Sequence, residues 1–277
     1  MKILNKESLI DSGGVKIGML EILSPEIASK AKPGQFIVLM ASEKGERIPL
    51  TVVEKDPPKG TIKLIFQEAG LTTKMLGAVK AGDSLYSLVG PLGHPTEIKK
   101  YGKIIIVGGG VGCAEIYPVA KAFKEAGNNI TTILGARTKE LLMLENELKN
   151  TSDEFYVATD DGSYGRKGFT TDILEELLVK GKYDLVYSVG PIPMMKKSSV
   201  VTKKFGTKTI VSLNAIMVDA TGMCGCCRVT VGGKTYFSCV DGPEFDASLV
   251  DWEELIKRNK IYDDKEKHIC KLNLYKQ

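Results

Sequence analysis

Asp219, Cys224, Cys227 and Cys239 are spaced like the ligands of a two-iron, two-sulfur cluster. Such ligands run as a first residue, a second five on, a third three further and a distant fourth. Asp219 takes the first position, so the set is one carboxylate and three thiolates. Gly222 and Gly225 let the loop bend around inorganic sulfide. Cys239 follows a hairpin-like stretch that turns at Gly232-Gly233. Cys226 lies inside the loop but off the pattern and reads as a spectator. A cluster of this kind carries single electrons. The competing reading is a tetrahedral zinc ion on the same thiolates and carboxylate.

A second constellation is Gly108-Gly109-Gly110-Val111-Gly112, which leaves an apolar strand and enters a helical stretch. Small residues allow close backbone approach, and a helix start supplies free N–H groups for a pyrophosphate. A tight strand-to-helix turn without ligand would use the same residues. Ser188-Val189-Gly190-Pro191 follows a later strand, where sheet ligands collect. Asp160 to Gly165 forms a third loop, either a polar turn or a ligand contact through Asp161. Earlier in the chain, Arg47-Ile48-Pro49-Leu50-Thr51 combines a fixed cation, a rigid apolar surface and a hydroxyl, the groups a flavin needs. Gly70-Leu71-Thr72-Thr73 precedes a helical stretch, where amides and hydroxyls could hold a phosphate or cap the helix.

The elements that must position these groups change character along the chain. Short strands at Lys16–Ile22, Phe36–Met40, Leu50–Glu54, Thr61–Phe66 and Ser84–Val89 are separated by turn residues, which predicts a small antiparallel barrel over 1–97. Over 98–210, strands at Ile104–Val107, Ile130–Leu134, Glu154–Ala158 and Leu185–Val189 alternate with helices at Ala114–Ala126 and Leu141–Leu148. That predicts a parallel sheet with crossover helices. A cluster-binding segment follows at 211–250. A short helix at Trp252–Arg258 and a lysine-rich tail complete 251–277.

Bulk properties exclude several classes. A net charge of +4 over 277 residues argues against nucleic acid as a partner. Four of six cysteines fall within sixteen residues, which points to a metal in a reducing compartment rather than a disulfide framework. The first eleven residues lack the apolar core of a signal peptide, and no segment has the apolar length of a membrane span; the expectation is a cytoplasmic protein.

Barrel, flavin strand, glycine-rich nucleotide domain and C-terminal cluster, in that order over residues 1 to about 250, resemble the ferredoxin-NADP reductase superfamily, near the dihydroorotate dehydrogenase electron-transfer subunit. Ser212 to Asp219 followed by Thr221-Gly222-Met223-Cys224-Gly225 is most similar to the small subunits of NADH-dependent reduced ferredoxin:NADP+ oxidoreductases, which use an aspartate and three cysteines. The resemblance implies FAD on Arg47, Pro49, Leu50, Thr51, Phe66, Gly70, Leu71, Thr72 and Thr73, and NAD(H) on Gly108 to Gly112, Arg137, Asp161, Gly190 and Pro191. It also implies a [2Fe-2S] cluster facing a larger subunit with FAD and four-iron clusters, in an electron-bifurcating enzyme coupling NADH, ferredoxin and NADP+. Hydride would pass between nicotinamide and flavin, and single electrons through the cluster. The alternatives are the electron-transfer subunit of dihydroorotate dehydrogenase, which resembles an all-cysteine pattern, and a zinc-stabilised nucleotide-binding adaptor. Two departures stand out: Arg47 is four residues before Thr51 rather than three, and Glu115 stands where many relatives have proline. The expected role of Glu115 is to cap the start of its helix; the other is to lie near the nicotinamide.

Overall fold

The structure, a computed structural model, describes residues 1–43 and 45–271. The tail beyond residue 271 lies outside the described residues. The first unit comprises β1 (Ile3–Ser12), β2 (Val15–Leu23), α1 (Pro25–Lys30), β3 (Phe36–Met40), β4 (Ile48–Thr51), β5 (Glu54–Asp56), β6 (Thr61–Gln67), α2 (Leu71–Ala78) and β7 (Ser87–Leu92). Its strands form two antiparallel sheets, β1-β2-β6-β5 and β4-β3-β7. Their inward faces enclose Leu20, Ile22, Ile37, Leu39, Ile62, Leu64 and Phe66. This is the expected barrel, with three differences, of which the first is that the strand expected at Ser84–Val89 runs over Ser87–Leu92. The stretch expected as one strand over Leu50–Glu54 is split, because Val52 and Val53 turn into separate cores. And β1, which had no sequence signal, pairs along its length with β2 although only Ile3 and Ile10 are buried.

The second unit alternates strand and helix: β8 (Lys103–Gly109), a single 3₁₀ turn at Gly110–Gly112, α3 (Cys113–Glu125), β9 (Asn129–Ala136), α4 (Glu145–Thr151), β10 (Glu154–Thr159), β11 (Arg166–Lys167), α5 (Thr170–Lys180), β12 (Leu185–Val189), α6 (Ile192–Lys204) and β13 (Thr209–Ser212). The remainder is β14 (Arg228–Val231), β15 (Lys234–Phe237), α7 (Ser238–Asp241), β16 (Glu244–Asp246), α8 (Trp252–Asn259) and α9 (Asp263–Lys271).

One seven-stranded sheet runs β11-β10-β9-β8-β12-β13-β16, parallel except for β16. Its central strands read as continuous apolar runs because helices cover both faces. A boundary at residue 210 therefore cuts through β13, and β16, from the cluster segment, completes the sheet. A third core ties the units together: Phe36 and Val38 of the barrel pack with Met195 of α6, with Cys227, Val229 and Cys239, and with Trp252 and Leu255 of α8. Among the described residues no helix is long and apolar enough to cross a membrane.

Candidate functional site

After β8 the sheet order reverses: β9 lies on one side of it and β12 on the other. Ligands of open parallel sheets collect at such a switch point, beyond the C-terminal strand ends. A cavity of about 1070 Å³ opens there, at the upper end for small-molecule sites. Its barrel wall is Ile17, Phe36, Pro49, Leu50, Thr51, Ile65 and Gln67. Facing it are Gly109 to Gly112, Glu115, Arg137, Gly190 and Pro191, and between the two lie Ser212 to Ala215.

The turn after β8 depends on its glycines in two ways. Gly110 has φ +55°, which side chains rarely adopt, and its Cβ direction is open space. Gly112 has an ordinary backbone, but a Cβ there would lie 2.6 Å from the Val189 carbonyl oxygen. Gly112 therefore lets the two strand-end loops touch, while Gly110 leaves room for a ligand. Gly108, by contrast, is buried against Ile116.

The other expected residues fall into distinct places. Pro49, Leu50 and Thr51 of β4 all line the cavity, and Phe36 lies directly opposite Thr51 in the β3–β4 register. Phe66 does not join them. It points into the barrel core while its neighbours Ile65 and Gln67 line the cavity, as the two-residue period of a strand requires. Arg47 is exposed on the loop before β4 and outside the cavity lining. The start of α2 is also outside it. There the Gly70 amide donates to Thr73 Oγ1 (2.9 Å), and the Thr72 hydroxyl donates to Glu46 Oε2 (3.0 Å). The Thr73 hydroxyl is thus engaged in the helix cap, and an acid already rests at that helix start. Asp161 closes its own turn, accepting from the Ser163 amide (2.9 Å) and hydroxyl (2.7 Å). Arg137 and Asp160, at the ends of β9 and β10, both line the cavity mouth.

Glu115 departs from the expected cap. Its carboxyl meets the hydroxyls of Ser212 and Thr51 at the cavity wall, and Oε1 is sealed from water without a partner. Burial first, with the Glu244 carboxylate adding to it, pushes its pKa up to about 7 against the pull of those hydroxyls. Glu244 accepts from the Tyr187 hydroxyl (2.7 Å) and from the Thr96 hydroxyl, and burial raises its pKa also. No sequence pattern announced this network, because its members come from β4, the loop after β7, β12, α3, β13 and β16.

The four candidate metal ligands group two by two. Asp219 Oδ2 accepts from the Cys224 amide (3.0 Å) and Oδ1 from the Thr221 amide (2.9 Å). The Thr221 amide first, and then Cys224, hold this carboxyl below the usual carboxylate range, so it is ready to ligate as an anion. Cys227 and Cys239 meet in the third core, where the Cys239 amide donates to Cys227 Sγ (3.4 Å). Burial first, then the neighbouring Cys227 sulfur, pushes the Cys239 thiol up to about 12. Among the described residues no three His, Cys, Asp or Glu side chains converge as they would on one ion.

Cys226 contributes backbone rather than sulfur: its amide donates to Cys224 Sγ (3.4 Å), and its carbonyl accepts from Arg258 Nη2 (2.9 Å). Arg258 belongs to α8, and the next residue, Asn259, bonds the Asn214 carbonyl (3.0 Å), so this helix clamps the loop from behind. Both donors fall outside the local motif that made the loop legible.

Comparison with known proteins agrees with this layout. Residues 106–199 match the oxidoreductase NAD-binding domain, and residues 214–251 match the iron-sulfur cluster binding domain of dihydroorotate dehydrogenase B. The chain is 52% identical over 246 residues to a dihydroorotate dehydrogenase B (NAD(+)) electron transfer subunit homolog of Thermotoga maritima, covering 89% of this chain and 87% of that one. It is 33% identical to the dihydroorotate dehydrogenase B electron transfer subunit of Geobacillus thermodenitrificans, covering 81% and 88%. A chain in the solved structure of NADH-dependent reduced ferredoxin-NADP oxidoreductase superposes with a TM-score of 0.92 at 46% identity, covering 99% and 97%. The cytochrome b5 reductase domain of Ulva prolifera nitrate reductase, at 20% identity and a TM-score of 0.57, shares the fold. This chain belongs to the family of electron-transfer subunits that includes those of dihydroorotate dehydrogenase B and of NADH-dependent reduced ferredoxin-NADP oxidoreductase.

Proposed function

We propose that the chain is the FAD-, [2Fe-2S]- and NAD(H)-dependent electron-transfer subunit of a cytoplasmic, electron-bifurcating NADH-dependent ferredoxin-NADP oxidoreductase. The observation that carries this reading is the cavity at the sheet's switch point, walled by β4 on one side and the glycine turn on the other, with Ser212 to Ala215 leading from it to the ligand loop. Bound there, the three groups supply hydride exchange with the nicotinamide, splitting of the electron pair and single-electron carriage.

The chain's own part is placement. Pro49 and Leu50 offer a rigid apolar face for the flavin ring, and Thr51 offers a hydroxyl beside it. Arg47 and the amides of Leu71 to Thr73, although outside that cavity, meet the FAD phosphates in this reading once the Glu46 carboxylate moves from the Thr72 hydroxyl. Gly110 to Gly112 and Gly190-Pro191 leave the cavity open for a dinucleotide pyrophosphate, and Arg137 meets its adenosine half. Asp219 with Cys224, and Cys227 with Cys239, hold the cluster. Cys224 is exposed beside the exposed apolar Val218, Met223 and Val240, so the cluster lies at a surface suited to a larger partner subunit. That partner carries a second FAD and four-iron clusters, which exchange electrons with ferredoxin and NADP(H).

Asp219 in the first ligand position favours this enzyme over a dihydroorotate dehydrogenase. The test is purification of the native complex under anaerobic conditions. A larger chain should accompany this one, with more flavin and iron than one FAD and one two-iron cluster account for, and with NADP+ reduction coupled to ferredoxin. A partner that oxidises dihydroorotate would reassign the enzyme, and a zinc-containing chain without flavin would end the redox reading.

A further inference from the structure

Glu115 is the half-buried acid that the proposed binding scheme leaves without a task. It sits in the first turn of α3, directly after the glycine turn, yet it does not serve the helix start. Its carboxyl instead reaches the wall where β4 of the barrel and β13 of the sheet meet, against the hydroxyls of Thr51 and Ser212. Leaving a carboxylate oxygen sealed from water and unpartnered is costly, and such exceptions cluster at functional sites. The groups facing it are few. Thr51 comes from β4, Ser212 from β13 and Glu244 from β16; behind Glu244 lies Tyr187 of β12, whose hydroxyl is already given to Glu244. Among the described residues the charge that acts on Glu115 is a like one, Glu244.

We propose that Glu115 is a positioning residue for the flavin: held against the Thr51 hydroxyl, its carboxyl fixes the orientation of that hydroxyl and its charge sets how readily the flavin accepts electrons. The proposal rests on the flavin reading of β4. Charge beside the flavin nitrogens is one of the levers by which a protein tunes this cofactor. With burial and Glu244 raising it to about 7, the carboxyl is neutral below that pH and an anion above it. An anion opposes the arrival of electrons, so the flavin is expected to become harder to reduce as the pH rises through 7. Glu244 already carries the hydroxyls of Thr96 and Tyr187, and Tyr187 stays protonated.

The experiment is a spectroelectrochemical titration of the flavin in wild type, Glu115→Gln, Glu115→Asp and Glu244→Gln, from well below to well above pH 7, with flavin and iron content measured on each sample. Glu115→Gln should retain both groups, match the wild-type potential at low pH and lie above it at high pH. Glu115→Asp, which keeps a titrating acid, should follow the wild type. Glu244→Gln removes the like charge that raises Glu115, so its departure from the low-pH behaviour should begin at lower pH. Curves for Glu115→Gln that coincide with the wild type throughout, or differ by a constant offset, would overturn the proposal. So would loss of flavin from Glu115→Gln alone, which would make the residue purely structural. A wild-type protein that binds no flavin would instead overturn the flavin reading of β4.

Discussion

Cys239→Ala should give a folded protein that retains its flavin but contains no two-iron cluster, whereas Cys226→Ser should keep iron and spectrum nearly unchanged. Cys239 and Cys227 form the buried ligand pair, and an alanine leaves the second iron one donor short. The interaction lost is a metal–thiolate bond, so the expected effect is absence of the cluster rather than a graded weakening. Cys226 acts through its amide and carbonyl, which serine preserves. Asp219→Cys belongs to the same series: a thiolate donates more strongly than a carboxylate, so the cluster should persist with a lower potential. Iron analysis and electron paramagnetic resonance of the reduced proteins check all three. Iron retained in Cys239→Ala and lost from Cys226→Ser would show that the ligands are wrongly assigned.

Gly110→Val is the second large effect. At φ +55° a β-branched residue is strained by about 1–2 kcal/mol, and its side chain would project into the space left for the dinucleotide. Displacing one backbone amide from a phosphate forfeits about 1.5–3 kcal/mol, which is roughly ten- to a hundredfold in affinity. The apparent Michaelis constant for NADH should rise by that factor while the flavin and cluster spectra remain. Unaltered NADH affinity in this variant, measured by stopped-flow reduction of the flavin, would reduce the glycine turn to a structural feature.

What could be seen in the sequence and what could not divides by distance along the chain. The ligand loop packs its chemistry into local spacing, with three of the four ligands between Asp219 and Cys227. The glycine turn was similarly legible, because a continuous apolar strand and a helix flank it directly. Phe66 illustrates the opposite case. One residue of register decides whether a strand side chain faces the core or the cavity, and turn signals alone do not fix that parity. Strand β1 was missed because it is held by backbone pairing to β2 rather than by an apolar face.

Glu115 was visible as an acid near a helix start, where the dipole makes a cap the natural expectation. Its actual neighbours, Thr51 and Ser212, are brought to it only by docking of the barrel on the sheet. The clamp from Arg258 and Asn259 likewise depends on α8 packing behind the loop through Trp252 and Leu255. The two units share that third core, which is why the cluster segment could not be recognised as part of the seven-stranded sheet from its local composition.

Anaerobic titration of the purified chain with NADH shows whether one chain joins a dinucleotide, a flavin and a two-iron cluster around the switch-point cavity. Flavin absorbance and the electron paramagnetic resonance signal of the cluster are followed together. A bound flavin should bleach, with a reduced two-iron signal that appears in wild type and is missing in Cys239→Ala. A chain that holds zinc in place of iron, or whose flavin is indifferent to NADH, would contradict this reading.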